Sequence, residues 1–289
     1  MIEDHNKTNN WDKESKRIQM KISIITVCKN AESAIERTML SVVTQSCFVE
    51  NIEYLIIDGA STDKTIEIIK KYADKYPIKW ISEPDSGIYN AMNKGIKIAS
   101  GDYLLFLNAG DYFVHYNTLG LLVNLLKDSV FDVIYGDLLC VDPKSGEYSI
   151  KAVGEALGVN FFFVNTLPHQ ATFYNKNVFK KFGGYEENFK IISDNIINKK
   201  LLCDHKVSTK YVNQIISVFL NDGISSTNKE LDLQERKIFQ AKYFSEEEIK
   251  EIEKQKQREE TLRLRKEQKS LLRFLSKIFA KFYELWVTR

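Results

Sequence analysis

The sequence predicts an α/β protein, with a mostly parallel central sheet flanked by helices and a helical extension at the C-terminal end. Two observations carry this. Short β-branched apolar runs alternate with helix-forming segments from Lys21 to Leu107. These runs are apolar throughout, as strands buried on both faces are. From 229 to 289 the chain has no Gly or Pro and is dense in charge, which reads as continuous helix.

The elements follow in order. Lys21 to Val27 is a strand, and Ala31 to Gln45 is rich in helix formers. Ile52 to Ile57 is a second strand, ending at Asp58-Gly59, with a helix from Thr65 to Tyr76. Ile78 to Ile81 is a third strand, Gly87 to Ala99 a helix, and Tyr103 to Leu107 a fourth strand. Beyond Phe131 the pattern loosens. Phe131 to Leu139, Ala171 to Tyr174 and Ile215 to Leu220 read as strands, with one short helix near Asp194. The first 20 residues are polar and are expected to be disordered, because they offer little to bury. The expected division is therefore 1–20 as a tail, 21–228 as the α/β domain and 229–289 as the extension.

With 289 residues and 44% apolar content, the chain accommodates one large domain with appendages. A net charge of +2 argues against a basic nucleic-acid binder. Cys28, Cys47, Cys140 and Cys203 are far apart in sequence, so neither a CxxC pair nor a disulfide framework is expected, and a reducing cytoplasm fits. There is no apolar signal-peptide core at the start, and no run of 18 apolar residues for a membrane span.

Open parallel sheets bind ligands beyond the carboxyl ends of their strands. Three acidic clusters fall there: Asp58-Gly-Ala-Ser-Thr-Asp63, Glu83-Pro-Asp85-Ser-Gly87, and Asn108-Ala-Gly-Asp111. Each alone is ordinary turn or cap chemistry. Together at one sheet edge they suggest recognition of base, ribose and metal-bound phosphate. No GxGxxG follows the first strand and no GxxxxGK[ST] occurs, so neither a dinucleotide fold nor a P-loop is indicated.

From Ile22 to about Ser226 the chain resembles the family 2 glycosyltransferases, which have the GT-A fold. The matching runs are Ile24-Ile-Thr-Val-Cys-Lys-Asn-Ala-Glu32, Ser41-Val-Val-Thr-Gln45, Ile56-Ile-Asp-Gly-Ala-Ser-Thr-Asp-Lys-Thr65, Glu83 to Gly95, and Gly101 to Asn108. His169-Gln170 and Gly223-Ile-Ser225 sit where similar pairs occur. The resemblance implies an inverting enzyme moving a hexosyl or N-acetylhexosaminyl group from a nucleotide-sugar, by default a UDP-sugar. It implies that Thr26, Asn30, Glu32, Asp58, Asp85, Asn90, Lys94 and Asn108 line the donor site. Asp58 would hold the base, and Asp85 would lie near the ribose and diphosphate. Asp111 would match the last carboxylate of the family's DxD motif and hold Mn²⁺ or Mg²⁺. Asn108 and Gly110 stand where many members carry acids. Asp194 lies where the family places the general base, though an N-cap of a helix over 195–203 is the bland alternative. His169 and Gln170 are candidate contacts to donor or acceptor.

From Leu271 the apolar residues fall at i, i+3, i+4, i+7, i+8, i+11, i+14 and i+15, ending at Trp286. Between Arg263 and Arg289 there are eight basic and two acidic residues. A basic amphipathic helix of this kind suits an anionic membrane surface, and packing on another protein surface is the alternative. The expected setting is peripheral, on the cytoplasmic face of the cell membrane, with a glycan or lipid-linked acceptor. A competing expectation is a catalytically silent nucleotide-sugar-binding subunit of a glycan assembly complex.

Overall fold

The computed structural model describes residues 20–125, 129–155, 157–221 and 227–287, with side chains at 49, 50, 125 and 279–287 outside that description. The expected N-terminal tail and the Gly223 to Ser225 match therefore lie outside the described residues, apart from Met20.

Four parallel strands form one half of the sheet in the order β3-β2-β1-β4: β1 (Ile22–Cys28), β2 (Ile52–Asp58), β3 (Ile78–Ser82) and β4 (Tyr103–Phe106). Helices α1 (Ile35–Val43), α3 (Thr65–Ala73) and α4 (Ile88–Ile98) make the crossovers, and a single turn, α2 (Phe48–Asn51), leads into β2. Burial on both faces explains the continuous apolar runs. Ile22, Ile24, Tyr54 and Ile56 point to one face with Ile35, Met39 and Ile69. Ile25, Val27, Leu55 and Ile57 point to the other with Tyr89 and Met92. Burying each such side chain stabilises the fold by about 1.5–3 kcal/mol.

The second half is mixed, not parallel. The short β5 (Tyr112–Phe113) and helix α5 (Thr118–Leu125) lead into β6 (Val133–Val141) and β7 (Tyr148–Lys151). Helix α6 (Val159–Val164), β8 (Thr172–Asn175) and helix α7 (Lys176–Phe182) follow. Helix α8 (Ser193–Lys199) and β9 (Thr209–Leu220) complete this half. The strand β8 runs antiparallel to β4 and to β6, whereas β9 runs parallel to β6 and antiparallel to β5. The mostly parallel expectation thus holds for the first four strands, and the antiparallel pairs are confined to β5 to β9 and their contact with β4.

The extension is not merely appended. Helix α9 (Lys229–Tyr243) and the first turns of α10 (Glu246–Val287) close a third core, in which Phe239, Phe244 and Ile252 pack on Phe189, Ile192 and Ile196. Farther along α10, Leu262, Leu264, Leu271, Leu272, Phe274 and Leu275 are exposed. Among the described residues, no helix is long and apolar enough to cross a membrane.

Candidate active site

Strand register builds one side of the candidate site. Cys28, Asp58 and Ser82 are lateral neighbours at the carboxyl ends of β1, β2 and β3. Asp58 is fully buried, and its carboxylate accepts from Ser61 N at 2.9 Å, Ser61 Oγ at 2.5 Å and Ser82 Oγ at 2.7 Å. Burial and this neighbouring carboxylate raise the Cys28 thiol far above its ordinary pKa, so it is no nucleophile. Asp58 therefore organises the loop after β2, its oxygens already engaged.

That loop is laced to the loop after β1. Asn30 N donates to Ser61 Oγ at 2.7 Å, and Thr62 N donates to Asn30 Oδ1 at 2.9 Å. Glu32 N donates to Asp63 Oδ2 at 3.1 Å, and Lys64 N returns a bond to Glu32 Oε2 at 2.9 Å. Asn30 adopts φ 49°, a left-handed conformation that Asn tolerates. Thr26 takes no part. It is sealed in the sheet, its hydroxyl 3.1 Å from the Tyr54 hydroxyl and donating to the Leu107 carbonyl at 2.8 Å. The expectation that it lines the cleft is corrected, because its side chain faces the core and not the strand end.

Asp85 lies over Gly59 so closely that a Cβ there would stand 2.2 Å from Asp85 Oδ2. Asp85 Oδ1 accepts from Gly87 N at 3.2 Å. Lys94 reaches back to the Pro84 carbonyl at 2.7 Å and to Glu83 at 2.9 Å, holding the same loop. Asn90 and its neighbour Asn93 each donate to Glu187 at 2.8 Å. The bonds from Asn93 and then Asn90 hold the Glu187 carboxyl below its usual range.

The other side of the cleft forms where β4 meets β8. Asn108 follows β4, His169 opens the 3-10 turn before β8, and Asp194 stands in the first turn of α8. Asn108 Nδ2 is 3.0 Å from His169 Nε2, and His169 Nδ1 is 3.6 Å from Asp194 Oδ2. Asp194 also accepts from Asn195 N at 2.9 Å. The helix begins at Ser193, one residue before Asp194, so Asp194 is a first-turn residue and not its N-cap. Gln170 is buried beside this line, and its carbonyl accepts from Ser217 Oγ at 2.6 Å.

Asp111 is nearly buried at the end of the four-residue turn that starts at Asn108. Helix α1 shapes this turn. Thr38 Oγ1 accepts from Gly110 N at 2.9 Å, and Arg37 donates to the Gly110 carbonyl at 3.2 Å. Gly110 has φ 109°, which favours glycine and accounts for the missing acid there. Asn108 Oδ1 is buried without a hydrogen-bond partner. That orphan oxygen and the Asp111 carboxylate on one turn are the hard donors that Mn²⁺ or Mg²⁺ prefers. Among the described residues, no three His, Cys, Asp or Glu side chains converge to hold a metal by themselves.

Sequence reading missed three residues here. Lys151, on β7 opposite Leu138, is lowered from its ordinary pKa by burial, against the pull of Asp194. Tyr89 and Glu235 bind the chain just before Asp194. Tyr89 lies within the matched run from Glu83 to Gly95, while no local motif marks Lys151 or Glu235.

The family model for glycosyl transferase family 2 matches residues 23–183, more than half of the chain. The chain belongs to that family. It is accordingly a glycosyltransferase. It is 26% identical over 212 residues to the PGL/p-HBAD biosynthesis glycosyltransferase of Mycobacterium bovis BCG, covering 71% of this chain and 79% of that one. It is 27% identical over 182 residues to the minor teichoic acid biosynthesis protein GgaB of Bacillus subtilis, covering 60% of this chain and 20% of that much longer one. Its fold matches residues 1–349 of S. aureus TarS in complex with UDP-GlcNAc, with TM-score 0.61, 18% identity, and 72% and 61% of the two chains covered. The family 2 match ends before Asp194, and the contact that links Asp194 to the matched region is with His169.

Proposed function

We propose that this family 2 enzyme transfers a sugar, with inversion, from a UDP-sugar to a hydroxyl of a surface glycan or a lipid-linked glycan precursor. The observation that carries this is the line from Asn108 through His169 to Asp194. It joins the Asn108–Asp111 turn to the nearly buried carboxylate of Asp194. A base and a phosphate-side oxygen cluster facing one space are what a displacement at an anomeric carbon requires.

In this reading the loops at Asn30, Glu32 and Asp58 frame the base and Asp85 faces the ribose. Asn90 and Lys94 hold the donor loop and the Glu187 segment in place. Asp111 and Asn108 Oδ1 hold a divalent ion, which when bound neutralises charge on the leaving diphosphate. His169 and Gln170 line the space between donor and acceptor. Asp194 takes the proton of the acceptor hydroxyl while that hydroxyl's oxygen bonds to the anomeric carbon from the opposite face. The bond from that carbon to the diphosphate breaks, and the nucleoside diphosphate leaves with the electron pair.

Two of the relatives act, by their names, in PGL/p-HBAD and minor teichoic acid biosynthesis, which supports a surface-glycan acceptor. The exposed Leu271, Leu272, Phe274 and Leu275, beside the exposed Lys269, Arg273 and Lys277, support a peripheral contact of the 271–286 segment with the inner face of the cell membrane. Calorimetric titration of UDP with and without Mn²⁺ tests the donor site. Wild type should bind with Mn²⁺, and Asp111→Ala should lose the metal-dependent part. No UDP binding under either condition sinks the donor assignment.

A further inference from the structure

Helix α9 places one buried acid where no surface helix needs one. Glu235 is almost fully enclosed, and its carboxylate accepts from three consecutive amides: Lys190 N at 2.7 Å, Ile191 N at 2.9 Å and Ile192 N at 3.3 Å. These are the last residues before α8, whose first turn carries Asp194. The carbonyl of Ile191 is held from the opposite side by the Tyr89 hydroxyl at 2.6 Å. Tyr89 belongs to α4, one residue before Asn90 on the donor side. The Ile191 residue is therefore fixed at its amide by the extension and at its carbonyl by the donor domain.

The surroundings make this a rigid mount. Ile192 and Ile196 pack into the core shared with Phe239, Phe244 and Ile252. Lys199, at the far end of α8, bonds to Glu248 of α10 at 3.3 Å. Burying a carboxylate is costly unless hydrogen bonds compensate it, and three amides from one segment do so.

We infer that Glu235 is a positioning residue, which sets the place of Asp194 and makes the helical extension part of the catalytic apparatus. The inference rests on the reading of Asp194 as general base. A misplacement of about 1 Å costs on the order of a hundredfold in rate.

The test uses the full chain with Glu235→Gln, Tyr89→Phe and Asp194→Asn. The readouts are amide hydrogen exchange over residues 186–199, UDP affinity, and UDP release from UDP-GlcNAc with Mn²⁺ and water as acceptor. Glu235→Gln should speed exchange at 190–192 by about tenfold or more. It should lower kcat by about ten- to a hundredfold while UDP affinity stays within about twofold. Tyr89→Phe should show the same pattern more weakly, and it serves as the test if Glu235→Gln fails to fold. Unchanged kcat in these variants, with Asp194→Asn inactive, overturns the inference. A parallel fall in UDP affinity and kcat also overturns it, since that marks general loosening. An active Asp194→Asn removes the base assignment, while the exchange result still reports whether Glu235 holds the segment.

Discussion

Gly59→Ala separates the donor cleft from the fold that carries it. The added Cβ would stand 2.2 Å from Asp85 Oδ2 and 3.3 Å from the Lys29 side chain. To regain ordinary contact, the carboxylate must retreat by about 1 Å. Asp85 is partly exposed at the tip of a side chain, so it can yield without disturbing the core. Gly59 itself does not have a positive φ, so alanine adds no backbone strain. Melting temperature should therefore move by no more than about 2 °C. The loss appears in binding, because the displaced carboxylate is the group assigned to the ribose. UDP affinity should fall about ten- to a hundredfold, or ~1.4–2.7 kcal/mol. Calorimetry on the folded variant measures this. Wild-type affinity with a shifted Asp85 would refute the reasoning, and so would a large fall in melting temperature with binding intact.

Two further outcomes are expected. Glu53 is buried and accepts from Lys79 at 2.7 Å, Ser23 at 2.7 Å and Ser100 N at 2.7 Å. Burial alone would raise its pKa, but the Lys79, Ser100 and Ser23 bonds outweigh it and hold the carboxyl down at about 2, against 4.5 ordinarily. A depressed folded pKa means stability present above about pH 4.5 and lost as pH falls through about 2, on the order of 3 kcal/mol. Glu53→Gln should lower the urea midpoint at pH 7, with the gap to wild type closing toward pH 2; a pH-independent gap would contradict this. For α10, the chain should bind vesicles containing phosphatidylglycerol, and about 0.5 M salt should weaken that binding. Changing Leu271, Phe274 and Leu275 to Ser should abolish it, and wild type that ignores anionic vesicles would remove the membrane contact from the account.

Much of this was legible in the sequence, and the gaps have physical causes. The first four strands announced themselves because both faces are buried, and their ends carry Asp58, Asp85 and the Asn108–Asp111 turn as expected. The antiparallel half was harder. The exposed, four-residue β7 and two-residue β5 leave little pattern to read. The first residues of β9 are mostly exposed, which hid its start at Thr209. At the site, Thr26 followed from its place in a motif, but strand alternation turns it into the core. Glu235 was invisible because its role depends on a contact across 45 positions in sequence.

The most direct test of the account is the anomeric configuration of the sugar released when the enzyme turns over UDP-GlcNAc, read by proton NMR before mutarotation. The donor is α-linked. Attack from the opposite face, assisted by Asp194, predicts β-configured product from wild type and none from Asp194→Asn. An α-configured first product, or undiminished release by Asp194→Asn, would contradict the mechanism.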